Sequence, residues 1–430
     1  MEIEIIDFLC QLALILFSSK FFGLIMRRLG LPQVLGFIIA GILIGPAIWE
    51  KIFNVPQDSV VPIRFNGYLK AFAEVGVIFV MFTAGLETNL KDIKNTGLVS
   101  FLIALVGVLL PLSCGFLIAK WFLPEYSVYT WLFIGVIMTA TSVGITVEVL
   151  RELGKLQTKV GTIILSSAII DDVIGIIVLS IVLSISGGSA NSSQILMAIN
   201  PNSNILISIV WIMLFFVVAV IAGFGFSKLF HHIEGKHPHT RRIPIFSIAM
   251  CFLYSYVAEK VFGVADITGA YIAGIILSTN HDSAQYVDRR VSINSYIMFA
   301  PIFFACIGIK ISFEGMTGDI LLFALVFTIV AILTKIIGCG LTAKALKFNT
   351  KDSARIGVGM IARGEVALIV VEKGISGGLI DGSYRAIVVM LVFVSSLIAP
   401  ILLKALYKNK PPKDKFLESE TTGGQVEQTA

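Results

Sequence analysis

The 430 residues are 56% hydrophobic and only 14% charged, with a formal net charge of +5. Soluble domains carry about 25% charged residues, so this composition, with a mean hydropathy of +0.91, excludes an ordinary soluble enzyme and indicates a polytopic membrane protein in a lipid solvent. The small basic excess falls in loops between apolar runs and implies no nucleic-acid partner.

In chain order, the N-terminus (Met1-Glu-Ile-Glu-Ile-Ile-Asp7) lacks the basic region of a cleaved signal, so the first apolar run is expected to remain as a helix. Runs of spanning length fall at about 4–24, 32–46, 67–86, 97–122, 128–148, 160–185, 204–229, 242–261, 264–279, 293–310, 319–343, 354–374 and 383–406. The second and ninth are the shortest. With the N-terminus outside, the inner loops collect Arg27, Arg28, Lys91, Lys94, Arg151, Lys155, Lys159, Lys228, Lys236, Arg241, Arg242, Arg289, Arg290, Lys344, Lys347, Lys351 and Arg355. The outer loops hold far fewer basic residues, and the stretch 186–203 has no charge. This asymmetry predicts thirteen helices, N-terminus out and C-terminus cytoplasmic. Residues 1–409 form the transmembrane domain on this reading, and 410–430 a disordered cytoplasmic tail too short for a nucleotide-binding domain. The inner loop His231–His239 is histidine-rich and reads as a solvated loop, with a pH-sensing role as the alternative. The five cysteines, Cys10, Cys114, Cys251, Cys306 and Cys339, lie in apolar segments without paired spacing, so neither a disulfide framework nor a metal centre is expected, and no cofactor.

The chain also repeats. Gly30-Leu-Pro-Gln-Val-Leu-Gly-Phe-Ile-Ile-Ala-Gly-Ile-Leu43 matches Gly263-Val-Ala-Asp-Ile-Thr-Gly-Ala-Tyr-Ile-Ala-Gly-Ile-Ile276 without a gap. Ile78–Leu86 resembles Pro301–Ile309, and Cys114-Gly with Lys120 echoes Cys339-Gly with Lys344. Ordered matches argue for duplication. Repeat one covers about 4–185, a linker helix about 204–229, and repeat two about 242–406. An offset of seven helices is odd, so the copies run in opposite senses through the membrane, an architecture of secondary transporters.

Charges at bilayer depth locate the chemistry. Asp171 and Asp172 stand in the middle of an apolar run, where each carboxylate costs about 2.5–3.5 kcal/mol to insert, so a functional pair that holds a proton or a small cation is expected. Thr139-Ala-Thr-Ser-Val-Gly144 and Gly357-Val-Gly-Met-Ile-Ala-Arg-Gly364 interrupt two repeat-related helices. Carbonyls freed there, with the hydroxyls of Thr141 and Ser142, are candidate cation ligands. Lys335 sits midway along its span, opposite Leu110 of the first repeat. Arg363 and Glu365 flank the second interruption, with structural pairing the expected role for Arg363. Two carboxylates and one ammonium leave one carboxylate in excess, at which proton and cation would compete.

The runs Ala140-Thr-Ser-Val-Gly144, Asp171-Asp172, Phe303-Phe304 with Gly308, Thr334-Lys335 with Gly338, and Arg363-Gly-Glu-Val-Ala-Leu368 resemble the bacterial and archaeal monovalent cation:proton antiporters, most closely the thirteen-helix NapA/GerN-type branch. The resemblance spans about residues 5–407. It implies that Asp172 is the principal carboxylate for cation and proton, that Asp171 pairs with Lys335, that Thr141 and Ser142 lie beside the ion, and that Glu365 stands behind them. It also implies a homodimer in the plasma membrane of a prokaryote, in contact with lipid. Asp-Asp, where electroneutral relatives place Asn-Asp, suggests exchange of two protons per Na⁺. A K⁺/H⁺ antiporter like the Kef systems without their nucleotide-binding domain is the alternative, and the residues leave Na⁺, K⁺ and Li⁺ open as the cation. A cation channel fits less well, because an inverted repeat with a proton-binding carboxylate points to alternating access. An intramembrane aspartyl protease needs aspartates on different helices, and no His-Glu-x-x-His motif is present.

Overall fold

Apolar runs punctuated by capping residues set the helix boundaries. Asn66 Oδ1 accepts from the Leu69 amide at 2.9 Å, and Asn349 Oδ1 from the Asp352 amide at 2.8 Å, so each satisfies an amide that a helix start would leave bare. The computed structural model describes residues 5–49, 53–54, 63, 66–88, 90–186, 205–236, 242–279, 281–311, 318–376 and 378–407. Among these the chain is helical, with no strand.

In order the helices are α1 (Ile5–Arg28), α2 (Gln33–Ile44), α3 (Pro46–Trp49), α4 (Gly67–Leu86), α5 (Leu90–Phe122), α6 (Val128–Thr139), α7 (Val143–Glu152), α8 (Lys159–Ile185), α9 (Ile205–Lys236), α10 (Arg242–Tyr256), α11 (Asp266–Ser278), α12 (His281–Asn294), α13 (Ala300–Ile309), α14 (Gly318–Ala345), α15 (Thr350–Gly359), α16 (Glu365–Ser376) and α17 (Tyr384–Tyr407). Widened π turns over Val257–Phe262 and Ser295–Phe299 follow α10 and join α12 to α13. Ten helical stretches among the described residues are long and apolar enough to cross a bilayer, and the chain is a multi-pass membrane protein. The runs expected at 32–46 and 264–279 form the short helices α2 and α11, of 12 and 13 residues. At 1.5 Å per residue neither is as long as the roughly 30 Å hydrocarbon core. The run expected at 293–310 is part of a longer helical stretch, Ala284–Ile309. The uncharged stretch 186–203, apart from Ser186, and the tail after 409 lie outside the described residues, as do the side chains of the His231–His239 segment.

Two groups of helices emerge from the packing. A panel contains α1, α2, α4 and α10–α13; a core contains α5–α8 and α14–α17; α9 touches α11 of the panel and α8 of the core. The panel is built on glycine. A Cβ on Gly308 would lie 2.9 Å from the Gly41 carbonyl carbon, and one on Gly274 2.8 Å from the Gly85 Cα. Helices α2 and α13, and likewise α4 and α11, therefore meet backbone to backbone, as small residues permit in a lipid solvent. Apolar side chains on the outer faces stay exposed, including Phe17 on α1 and Val217 and Phe224 on α9. That is the surface expected where the solvent is hydrocarbon rather than water.

One end of α7 ties core to panel. Arg151 donates from Nε to Glu87 Oε1 at 3.0 Å, from Nη2 to Thr83 Oγ1 at 2.9 Å, and from Nη1 to Glu148 Oε2 at 2.9 Å. The next residue, Glu152, accepts from the Gln33 and Val34 amides at 2.7 and 3.2 Å, where the positive end of the α2 dipole favours a carboxylate.

Candidate functional site

Asp171 and Asp172 lie midway along α8, both buried, at 2% and 7% exposure. Lys335, midway along α14, is fully buried and places Nζ 2.7 Å from Asp171 Oδ1. The pair compensates two charges where an unmatched buried ion would cost several kcal/mol. Successive helical residues diverge by about 100°, so Asp172 points away from the direction in which Asp171 meets the lysine.

The two interruptions lie against each other. Helix α6 ends at Thr139 and α7 begins at Val143; α15 ends at Gly359 and α16 begins at Glu365. The Ser142 amide donates to the Ala362 carbonyl at 2.7 Å, and Thr146 Oγ1 donates to the Gly359 carbonyl at 2.8 Å. Two extended segments thus cross and hydrogen-bond where four half-helix ends converge. Gly364 fits because a Cβ there would come within 2.6 Å of Ser142 Oγ. Gly144, in the first turn of α7, lies against Phe303 of α13, whose Cε1 would be 3.3 Å from an added Cβ.

Arg363 is the largest fully buried side chain in the described structure. Its Nη1 donates to the Thr139 carbonyl at 3.1 Å, to the Ala140 carbonyl, and to Thr141 Oγ1 at 3.0 Å. Its own backbone is anchored by α17, with the Arg363 amide donating to Ser395 Oγ at 3.1 Å and Ser396 Oγ donating to the Arg363 carbonyl at 2.9 Å. This corrects two expectations. The carbonyls that end α6, expected to be free as cation ligands, already accept from the guanidinium. Arg363 also adds a second buried cation, and its charge acts on Asp171. Among the described side chains named for this site, Asp171 and Asp172 stand against Lys335 and Arg363.

Of the candidate residues, the structure brings Thr139, Thr141, Ser142 and Gly364 together at the crossing with Arg363, and Asp171 together with Lys335. The Thr141 hydroxyl is engaged with Arg363 and with the Thr139 carbonyl at 3.3 Å. Ser142 Oγ is buried with no hydrogen-bond partner among the described residues. Glu365 opens α16, and its side chain lies outside the described set. Sequence reasoning missed the anchoring serines Ser395 and Ser396, though a polar pair inside an apolar span is a visible signal. It also missed Glu148, 2% exposed and bonded to Arg151, whose intramembrane carboxylate deserved the same suspicion as Asp171.

A carboxylate beside a buried ion pair, next to crossed and interrupted helices, is the build of an ion-coupled secondary transporter. Residues 13–409 match the family described as sodium/hydrogen exchanger, transmembrane. The chain is 35% identical over 414 residues to the Na⁺/H⁺-K⁺ antiporter GerN of Bacillus cereus, covering 96% of this chain and 99% of that one. It is 34% identical over 404 residues to a Na⁺/H⁺ antiporter of Enterococcus hirae, covering 94% and 98%. In fold it resembles the sodium proton antiporter MjNhaP1 of Methanocaldococcus jannaschii, with a TM-score of 0.70 and 19% identity over 96% of this chain and 100% of that one. The chain belongs to the sodium/hydrogen exchanger family and is a cation/proton antiporter, a transporter and not an enzyme.

Proposed function

We propose that the protein exchanges Na⁺ for protons by alternating access, with Asp172 as the carboxylate that binds either ion and two protons moved per cation. The observation that carries this reading is the Asp171–Lys335 pair at 2.7 Å, buried one residue from Asp172. Cation binding at Asp172 opens the neighbouring pair; Asp172 releases one proton and Lys335 the other. Ser142 and Thr141 supply oxygen beside the ion, Glu365 stands behind them, and Arg363 fixes the crossing. One net charge then moves per cycle, so 100 mV contributes about 2.3 kcal/mol.

The chain crosses the membrane thirteen times in this proposal, N-terminus outside and C-terminus inside, in the plasma membrane of a prokaryote. Residues 1–409 form the transporter and 410–430 a tail, and helices before and after α9 are inverted copies. The glycine contacts support the inversion. Gly36 and Gly41 of α2 align with Gly269 and Gly274 of α11, and Gly85 of α4 aligns with Gly308 of α13. Gly41 meets Gly308 while Gly274 meets Gly85, and Gly36 meets α1 as Gly269 meets α10. The same contact therefore occurs twice with partners exchanged. The panel, which lacks the charged site, is the face for a homodimer. K⁺ is the second reading for the cation, favoured by the Na⁺/H⁺-K⁺ activity in the name of the Bacillus cereus relative.

The test is purified protein in liposomes with a trapped pH dye, challenged with Na⁺, Li⁺ and K⁺ in turn. Asp172→Asn is expected to abolish cation-driven proton movement in protein that still folds. Lys335→Met is expected to remove the response to an imposed potential. Exchange that persists in Asp172→Asn would refute the assignment of the carboxylate, and wild-type exchange indifferent to potential would refute the two-proton count.

A further inference from the structure

The second halves of the two interrupted helices, α7 and α16, each carry a cation in the last turn. The two cations hold the same position: Arg151 stands in α7, counted from Val143, where Lys373 stands in α16, counted from Glu365. Their surroundings differ. Helix α7 packs against α2 and α4 of the panel, and Arg151 Nε donates to Glu87 Oε1 at 3.0 Å across that seam. Helix α16 packs against α6 and α17, both within the core. Lys373 is partly buried, and the panel carboxylate that acts on it is Glu259, exposed in the π turn after α10. Among the described residues these two make no direct ion pair. The panel residue that matches Glu87 is Lys310, which ends α13 as Glu87 ends α4. A lysine there repels Lys373, so closure at this end cannot copy the Arg151–Glu87 pair and needs another carboxylate. Asp266, at the start of α11, already accepts from the Ile267 amide at 2.7 Å. Glu259 remains.

We propose that Lys373 and Glu259 close the α16 end of the molecule, as an ion pair made when the Arg151–Glu87 pair parts and broken when it re-forms. This rests on the reading of inverted repeats that alternate access. Two repeats that exchange conformations show each packing twice, so the seat of α7 on the panel is expected again for α16 in the opposite state. The two pairs then compete, and the balance between them sets which side the empty site faces. Arg151 grips Glu87 and Thr83 from two nitrogens, as a guanidinium fork can and an ammonium cannot. The closure at α7 is therefore the stronger, and it is the one populated here.

A water-soluble carbodiimide, which joins a lysine to a carboxylate in contact with it, reads the second pair directly. Protein in liposomes is treated, the Lys373–Glu259 link is quantified by mass spectrometry, and exchange is assayed on the same samples. Glu87→Gln weakens the closure at α7 and is expected to speed linking about threefold, the shift that one interhelical hydrogen bond in a membrane supplies. Arg151→Gln should act in the same direction. Exchange should fall in proportion to the linked fraction, whereas Glu259→Gln, treated alike, keeps the activity it had before treatment. Linking at the wild-type rate in both Glu87→Gln and Arg151→Gln overturns the inference, as does failure to link in every variant. Fully linked protein that still exchanges overturns it too, because a closure must part. Exchange surviving in Asp172→Asn defeats the underlying site reading instead; a dead Asp172→Asn with unchanged linking in Glu87→Gln and Arg151→Gln defeats the inference alone.

Discussion

The two interrupted helices face the same problem and resolve it differently. The last carbonyls of any helix lack intrahelical partners, and a lipid solvent supplies none. Where α6 ends, the Thr139 and Ala140 carbonyls receive the Arg363 guanidinium. Where α15 ends, the Gly359 carbonyl receives the neutral Thr146 hydroxyl. A guanidinium also cancels the negative end of a helix dipole, equivalent to about half a charge, which a hydroxyl cannot do. Similar chain paths therefore produce an electrostatically one-sided crossing, with the cationic group at the first interruption and the neutral one at the second.

The largest test of that contrast is Arg363→Ala. It takes the guanidinium from the Ala140 carbonyl and leaves the Thr139 carbonyl and Thr141 Oγ1 with only their mutual 3.3 Å contact, and should lower stability by about 3 kcal/mol or more, read as a fall in thermal midpoint in mild detergent. Arg363→Lys should recover only part, since an ammonium lacks the planar fork. A midpoint within a degree of wild type for Arg363→Ala would mean that the guanidinium does not close the first interruption. Gly364→Ala comes next. Its methyl would fall 2.6 Å from Ser142 Oγ, and overpacking of this kind costs about 1–3 kcal/mol; Ser142→Ala in the same chain should not relieve it fully, because Ser142 Cβ would itself be 2.9 Å away. Full relief would show that the hydroxyl alone sets the spacing. Ser396→Ala removes the tie from α17 to the Arg363 carbonyl and should cost about 1 kcal/mol, with reduced maximal exchange. The smallest effect belongs to Thr146→Val, about 0.6 kcal/mol for one interhelical hydrogen bond in a membrane, with unchanged cation affinity. A loss from Thr146→Val as large as that from Arg363→Ala would erase the distinction between the two ends.

Much of this was legible in the residues, for physical reasons that differ from place to place. Asp171, Asp172 and Lys335 stand out because charge inside an apolar span is costly wherever it occurs, so position alone marks them. The interruptions show as clusters of small and hydroxylated residues. The fate of the freed carbonyls was not legible. Whether Thr139 and Ala140 face an ion or an arginine depends on where Arg363, more than 200 residues away, folds back, and nothing local encodes that. The grip of Arg151 and Glu152 on α4 and α2 is invisible in the sequence because a basic residue at the end of an apolar run, such as Arg151, reads as a topology marker, and its partners Glu87 and Thr83 lie more than 60 residues away.

The backbone contacts at Gly41–Gly308 and Gly85–Gly274 determine how movement in this molecule could be watched. Helices in such contact have no side chains between them to repack, so α2, α4, α11 and α13 form one stiff frame. Pairs of spectroscopic labels on α2 and α11 should hold a constant separation through the transport cycle, a built-in ruler. A label on α7, measured against that ruler, should register the displacement, because α7 meets the frame through side chains, the hydrogen bonds of Arg151 and Glu152 and the contact of Gly144 with Val77 and Phe303 among them, and can separate without unpacking the frame itself.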